Sequence, residues 1–158
     1  MPSSGRQPQA IAAFLNPAMV ALVQASIASQ YRSKRGKAMA WPLLLVLPVL
    51  VLHRSTRQSL PSSTRTNVAK WVGRHPDLVA GLGPRVASML PLVREGMRFG
   101  LRHGLLQMEA GTVSATVPST RGTEGELREL IKSAELVGRW AAGIDQPSTL
   151  LGLLGVRV

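Results

Sequence analysis

The stretch that decides the fold is residues 38–52, AMAWPLLLVLPVLVL, which contains no charged side chain. A helix needs about 20 apolar residues to cross a bilayer, whereas this run has 15 and contains Pro48, which removes a helical hydrogen bond. The run is therefore too short for a membrane span. It predicts a helix that is opened by Pro42 and buried on most sides at the centre of the domain, with the rest of the chain packed around it.

The segment before this run predicts an amphipathic helix. Asn16 can cap free backbone N–H groups, and Pro17 has the φ angle of a first helical turn, so we expect a helix from here to about Gln30. Its apolar residues recur every three to four positions and form one broad core-facing side. Residues 32–37, RSKRGK, hold four cations and a glycine, which predicts an exposed basic loop.

Residues 65–117 predict a winged-helix-like part. Short helices are expected at 67–74 and 77–82, followed by a longer helix that begins at Pro84. Two short segments, 105–108 and 112–117, then predict a β-hairpin because apolar and polar residues alternate around a glycine-containing turn. Three helices followed by a hairpin is the order of a winged helix.

The remainder of the chain predicts one more helix and a packed end. Thr123 and Glu126 have the spacing of a capping box at the start of that helix, and the apolar residues 149–158 are expected to pack in the core or against a partner. The predicted fold class is mainly α with a small β-hairpin (α+β), with a helical N-terminal half around the buried apolar helix and a winged-helix-like second half. We expect residues 1–12 to be a flexible tail and 13–158 a single compact domain.

The charge of the chain favours anionic partners. It holds 19 Lys and Arg against 8 Asp and Glu, a formal net charge of +11, and residues 1–110 account for all of this excess. Such a balance favours nucleic acid, an anionic surface or an acidic protein. Cysteine is absent, which excludes disulfides and thiolate chemistry, and no secretory signal is visible at the start, so a cytoplasmic location is expected.

Motifs for enzymatic chemistry are missing. The segment Arg35-Gly36-Lys37-Ala38 lacks the upstream glycine and the hydroxyl of a phosphate-binding loop. His53, His75 and His103 are dispersed among different segments, which does not favour a metal site. Only two aspartates occur, which leaves little for paired-carboxylate catalysis. We therefore expect a protein that is not an enzyme and has no cofactor, metal or small-molecule substrate.

Four arginines are candidate DNA-binding or partner-binding residues. Arg94, Arg98 and Arg102 are spaced four apart on the predicted long helix and so share one face. They predict either a ridge that contacts phosphates, since the third helix of a winged helix enters the major groove, or an ordinary solvated helix face. Arg57 either pairs with a carboxylate of a partner or caps the carbonyls of the buried helix, and the sequence leaves both alternatives open.

Several ordered segments resemble a known family, the middle component of bacterial three-component ABC-type systems. The segments are Asn16-Pro17-Ala18, WPLLLVLP at 41–48, LHRSTR at 52–57, Leu60-Pro61, Gly104-Leu105-Leu106, AELVGRW at 134–140 and LLGVR at 153–157. They span nearly the whole chain, and none of them is a catalytic motif. The final Val158 stands where the family pattern has a proline.

The resemblance implies a small adaptor. It would act with an ABC or SMC-like ATPase and a further component of a system that defends bacteria against phages or other invading DNA, and it would bridge the two without catalysis of its own. Duplex DNA is a candidate additional partner, through the assembled complex, whereas a membrane is not expected. The alternative is a stand-alone winged-helix DNA-binding regulator, which the basic charge and the order of elements also predict.

We expect that the purified chain does not hydrolyse ATP, because it lacks the glycine-rich loop that holds the phosphates of a nucleotide. Steady-state phosphate release measures this directly. A turnover that survives repurification and scales with the amount of this protein would contradict the prediction.

Overall fold

The apolar run forms helix α2 (Leu43–Leu52), in which nine of ten residues are buried. The computed structural model describes residues 16–157, and the predicted tail, residues 1–12, lies outside the described residues. The prediction of a buried helix that follows Pro42 is confirmed. Burying an aliphatic side chain fully contributes roughly 1.5–3 kcal/mol to the free energy of unfolding. Helix α2 therefore stabilises the fold through the elements that cover it.

The described chain is mainly helical with a small three-stranded antiparallel sheet, which confirms the predicted α+β class. Its buried apolar side chains form one cluster. The elements around α2, in chain order, are α1 (Pro17–Arg35), β1 (Met39–Ala40), α3 (Arg54–Ser59), α4 (Val68–Arg74), α5 (Pro76–Ala80), α6 (Leu82–Arg102), β2 (Leu106–Glu109), β3 (Thr112–Ala115), α7 (Gly125–Ala142) and α8 (Pro147–Leu153).

A buried glutamine ties three helices together. Pro48 has no N–H group, so the carbonyl of Leu44, four residues earlier in α2, has no helical partner. The Nε2 of Gln24, a fully buried residue of α1, donates to this Leu44 carbonyl at 3.3 Å and to the carbonyl of Val93 in α6 at 3.1 Å. One side chain thus fills the gap that Pro48 opens and joins α1 to α2 and α6. Its Oε1 has no hydrogen-bond partner within the part of the chain that is described.

Helix α1 begins as predicted and ends later. Asn16 accepts a hydrogen bond from the Met19 amide at 2.9 Å, which confirms the cap. The helix continues through Arg32, Lys34 and Arg35 to a left-handed glycine, Gly36, with φ 84°. The prediction of a basic loop is wrong for these three cations, because they form the last helical turn, where the helix dipole favours positive charge.

The predicted hairpin is confirmed, and a third strand joins it. Strands β2 and β3 pair through a two-residue turn in which Ala110 and Gly111 both have positive φ, as the tight hairpin turns require. Strand β1 pairs with the other edge of β3, with Met39 opposite Val113, so the order in the sheet is β1-β3-β2. Two residues at the start of the apolar run therefore belong to the sheet.

The helices that cover α2 come from both halves of the chain. Helix α6 packs on α1 and α2, and α7 packs along α1. The short helices α4 and α5 flank this group, and α4 contacts α8 near the C-terminal end. Residues 65–117 hold α4, α5 and α6 followed by the β2–β3 hairpin, which is the predicted order of three helices and a hairpin. The winged-helix arrangement of these elements stays a prediction.

The last two helices agree only in part with their predictions. Helix α7 starts without a side-chain cap, so the predicted capping box is wrong. The Thr123 hydroxyl donates to the Thr120 carbonyl at 2.7 Å, and Glu126 pairs with Arg57. The predicted packing of the apolar end is confirmed, since Leu150, Leu154 and Val156 are buried. Val158 lies outside the described residues.

Two glycines let α1 approach its neighbours closely. A Cβ atom at Gly96 in α6 would overlap the Val20 side chain, and a Cβ atom at Gly138 in α7 would overlap the backbone carbonyl oxygen of Ile27. Rotation of the Val20 side chain cannot relieve the first overlap, because the Val20 Cβ atom itself would lie 2.7 Å from the added atom and moves only with the backbone of α1. A Cβ atom at either glycine would therefore force α1 away from its neighbour.

We expect Gly138→Ala to lower the free energy of unfolding by about 1–3 kcal/mol, because overpacking of this size costs more than the gain in helix propensity. Urea unfolding followed by circular dichroism measures the change. The matched control is Gly73→Ala in α4, where a Cβ atom meets nothing within 4 Å and stability should stay equal or rise. A Gly138→Ala protein as stable as the control would contradict the close contact.

Candidate functional site

The arginine ridge, defined as Arg94, Arg98 and Arg102, lies on one exposed face of α6. The buried residues of that helix, among them Val93 and Met97, face α1 and α2, and all three arginines are exposed. The predicted common face is therefore present. The phosphate-contacting ridge and the solvated helix face both stay predictions for these three residues.

The ridge keeps most of its positive charge. Arg98 forms an ion pair with Glu95 one turn earlier, with both side chains more than half exposed, and such pairs contribute little to stability. Arg94 and Arg102 have no ion-pair partner within residues 16–157. Two guanidinium groups are thus free to meet an anion, and the third is held by a weak, solvent-screened pair.

The ridge ends beside the sheet. The rings of Phe99 and His103 lie 4.1 Å apart, and the helix gives way to the hairpin within three residues, through Gly104. Leu101 and Met108 are 39% and 45% exposed. The C-terminal end of α6 and strand β2 therefore join a basic face to exposed apolar side chains, an arrangement that periodicity along α6 alone does not reveal.

Arg57 does not lie with the ridge. It is 9% exposed on α3, and its Nη1 donates to the carbonyl of Val51 in the last turn of α2 at 2.8 Å, while its Nη2 lies 3.3 Å from Glu126 Oε1 on α7. The sequence left open whether Arg57 pairs with a partner's carboxylate or caps the carbonyls of α2, and the contact with Val51 shows that it caps α2. As a residue for binding DNA or a partner, Arg57 stays a prediction, but it is not a freely exposed cation.

His53 caps the start of α3. Its Nδ1 accepts from the Thr56 amide at 3.3 Å and from the Thr56 hydroxyl at 2.7 Å. Burial lowers the pKa of His53 below its usual value, and the positive charges of Arg85 and Arg57 lower the pKa further. A neutral ring is the form that can accept at Nδ1, so the lowered pKa and the cap support each other.

Two tryptophans hold the loop between α3 and α4 in place. The indole N–H of Trp71 donates to the Ser59 carbonyl at 2.8 Å, and that of Trp140 in α7 donates to the Thr66 carbonyl, also at 2.8 Å. The two rings meet edge to face with centroids 5.5 Å apart. Both indoles are buried, so the two tryptophans belong to the core.

A cleft of about 430 Å³ lies between this loop and the outer face of α7. Arg57, Lys132 and Arg139 contribute positive charge to its lining, and Leu60, Pro61 and Leu136 contribute apolar surface. This cleft is not predicted from the sequence. The spacing of Lys132, Leu136 and Arg139 marks one face of a helix, but only the folded position of the loop turns that face into a concave site.

The described residues offer no other obvious chemistry. Residues 16–157 contain no group of three or more His, Asp or Glu placed to hold a metal ion. In the same stretch, no helix is both long enough and apolar enough to cross a bilayer.

We expect Arg57→Ala to lower the free energy of unfolding by about 1–3 kcal/mol, because the buried Val51 carbonyl then loses its donor. Arg54→Ala is the control, since Arg54 is an exposed residue of the same helix α3, and a change within about 0.5 kcal/mol is expected there. Urea unfolding at neutral pH compares the two. Equal losses for both variants would contradict the capping role.

The segments that suggested a family lie throughout this fold. Asn16 caps α1, 41–48 contains the start of α2, and 134–140 lies in the half of α7 that packs on α1. No curated protein and no solved structure matches the chain. The family model of the ABC-three component (ABC-3C) system Middle Component 3 matches residues 4–158, and the suggested resemblance is confirmed. The chain belongs to the family of ABC-three component (ABC-3C) system Middle Component 3.

Proposed function

We propose that this middle component is a non-catalytic, cytoplasmic adaptor that joins an ABC or SMC-like ATPase to another component of a bacterial system of defence against phages or other invading DNA. The observation that carries the proposal is the family match over residues 4–158. Membership in a three-component system implies that the other components are partners. An adaptor between them needs separate contact surfaces on a firm frame.

The arrangement of the helices supports this role. The arginine ridge is on α6 and the cleft is on α7, and these two helices both pack on α1 with little contact between them. Two charged surfaces of different shape, one convex and one concave, are therefore carried by one central helix. Two such surfaces suit a protein that holds two macromolecules at once.

The uses of the histidines support an adaptor without catalysis. His53 caps α3, His75 stacks on Trp71 with ring centroids 5.0 Å apart, and His103 packs on Phe99. Each ring thus has a packing or capping partner of its own. Histidine is the side chain that most often acts as a general acid or base at neutral pH, and each of these three histidines has a structural contact instead.

The alternative function is a stand-alone DNA-binding regulator, and the ridge beside the hairpin is the observation that favours it. Co-expression with the ATPase encoded beside the gene separates the two functions. A stable stoichiometric complex supports the adaptor. Absence of a complex, together with sequence-selective duplex binding by the isolated chain, would favour the regulator.

We expect Arg94→Ala, Arg98→Ala and Arg102→Ala together to reduce the slope of log affinity against log salt for duplex DNA by about 2–3, because three phosphate contacts are lost. DNA binding of the assembled complex is measured by fluorescence anisotropy over a salt series, and co-purification with the ATPase should not change.

The control is the triple alanine variant of Lys70, Arg74 and Arg128, which removes the same charge from exposed positions on α4 and α7. It should leave the slope nearly unchanged. Unchanged DNA affinity with lost ATPase association would mean that the ridge contacts an acidic protein surface. If neither property changes, the ridge is a solvated helix face.

A further inference from the structure

The cleft on α7 is a preformed site. The loop that forms one wall is anchored before and after the cleft by the two indole hydrogen bonds, from Trp71 to Ser59 and from Trp140 to Thr66, each 2.8 Å long. Arg57 is fixed at its edge by the Val51 carbonyl and Glu126. A site whose walls are already ordered binds without the entropy cost of arranging them.

Several polar groups in the cleft have donors to spare. Lys132 is exposed and makes no ion pair or hydrogen bond with any residue of 16–157. Arg139 uses one N–H, toward Gln30 Oε1 at 3.3 Å, and its remaining N–H groups have no partner in the described chain. Because Arg57 is already compensated by Glu126, the cleft holds two available cations against one carboxylate, Glu135.

The remaining lining is apolar. Leu60 and Pro61 lie on the loop side, and Leu136 lies on the helix between the two cations. A volume of about 430 Å³ falls in the range of small-ligand pockets, roughly 300–1,000 Å³, which is enough for a few side chains. The chemistry that fits is a carboxylate at each end and an aliphatic side chain between them.

Charge and size together decide the class of occupant. Specific protein–DNA contacts bury roughly 1,000–2,500 Å² of protein surface, far more than this cleft offers. Residues 1–15 of this chain contain Arg6 and neither Asp nor Glu, and a second copy carries the same net charge of +11. Neither the N-terminal segment nor a second copy supplies the complementary charge.

We propose that the cleft binds a short acidic segment of a partner protein, with carboxylates at Lys132 and Arg139 and an aliphatic side chain on Leu60 and Pro61. The proposal deepens the adaptor function and rests on it for the existence of a protein partner. Its test uses the isolated chain and does not depend on what the arginine ridge binds, so the two proposals can fail separately.

The test measures binding of a fluorescein-labelled peptide of alternating glutamate and leucine residues to the full chain, by fluorescence polarisation. The double variant Lys132→Ser with Arg139→Ser should raise Kd by about tenfold, because two charge-assisted hydrogen bonds are lost. Lys70→Ser with Arg74→Ser removes the same charge from exposed positions on α4, outside the cleft, and should change Kd by less than about twofold. A peptide of alternating lysine and leucine should not bind.

Lys132→Glu alone keeps the test valid if the loss of the Gln30 contact destabilises the double variant. Lys132 has no contact to lose, and charge reversal there should weaken peptide binding more than Lys70→Glu does. A wild-type chain that does not bind the peptide overturns the proposal, as does a control pair that weakens binding as much as the cleft pair. Displacement of the peptide by duplex DNA in the chain that lacks the three ridge arginines would overturn it in favour of a phosphate site.

Discussion

A ten-residue helix without a polar side chain must be covered on most of its surface, and the rest of the structure depends on how α2 is covered. Most of the cover is apolar, but Pro48 leaves the Leu44 carbonyl without a partner inside the core. An unsatisfied buried carbonyl costs about 1–3 kcal/mol. The Gln24 side chain from α1 bonds to it and also reaches the Val93 carbonyl of α6. The same polar contact therefore fixes the relative positions of the three helices that make the centre of the fold.

The sequence predicts the elements better than their connections. The uncharged apolar run predicts α2, and periodicity and turn or cap residues predict α1, α6 and the hairpin, because each of these signals is local. Strand β1 was missed because two residues at the edge of an apolar run show no alternation. The cluster of cations at Arg32 predicts a loop, because charge alone does not distinguish a loop from the last turn of a helix.

In the candidate site, too, local features are predictable from the sequence and long-range contacts are not. The common face of Arg94, Arg98 and Arg102 follows from helix geometry, so it was predictable. The partner of Arg57 was not predictable, since Glu126 is 69 residues away in sequence and its spacing from Thr123 predicts a local capping box. The cleft beside Lys132 depends on the position of the loop after α3, which long-range contacts such as the hydrogen bonds from Trp71 and Trp140 stabilise.

The glycine contacts of α1 have a mechanical consequence. At Gly138 the backbone of α7 packs directly on the Ile27 carbonyl, and at Gly96 the backbone of α6 packs on Val20. At these two points no flexible side chain separates the helices. Shear is a small sliding of packed helices, and it requires side chains at the contact that can rearrange. A displacement of α7 is therefore transmitted through α1 to α6. The exposed faces of α6 and α7 therefore keep a fixed orientation relative to each other.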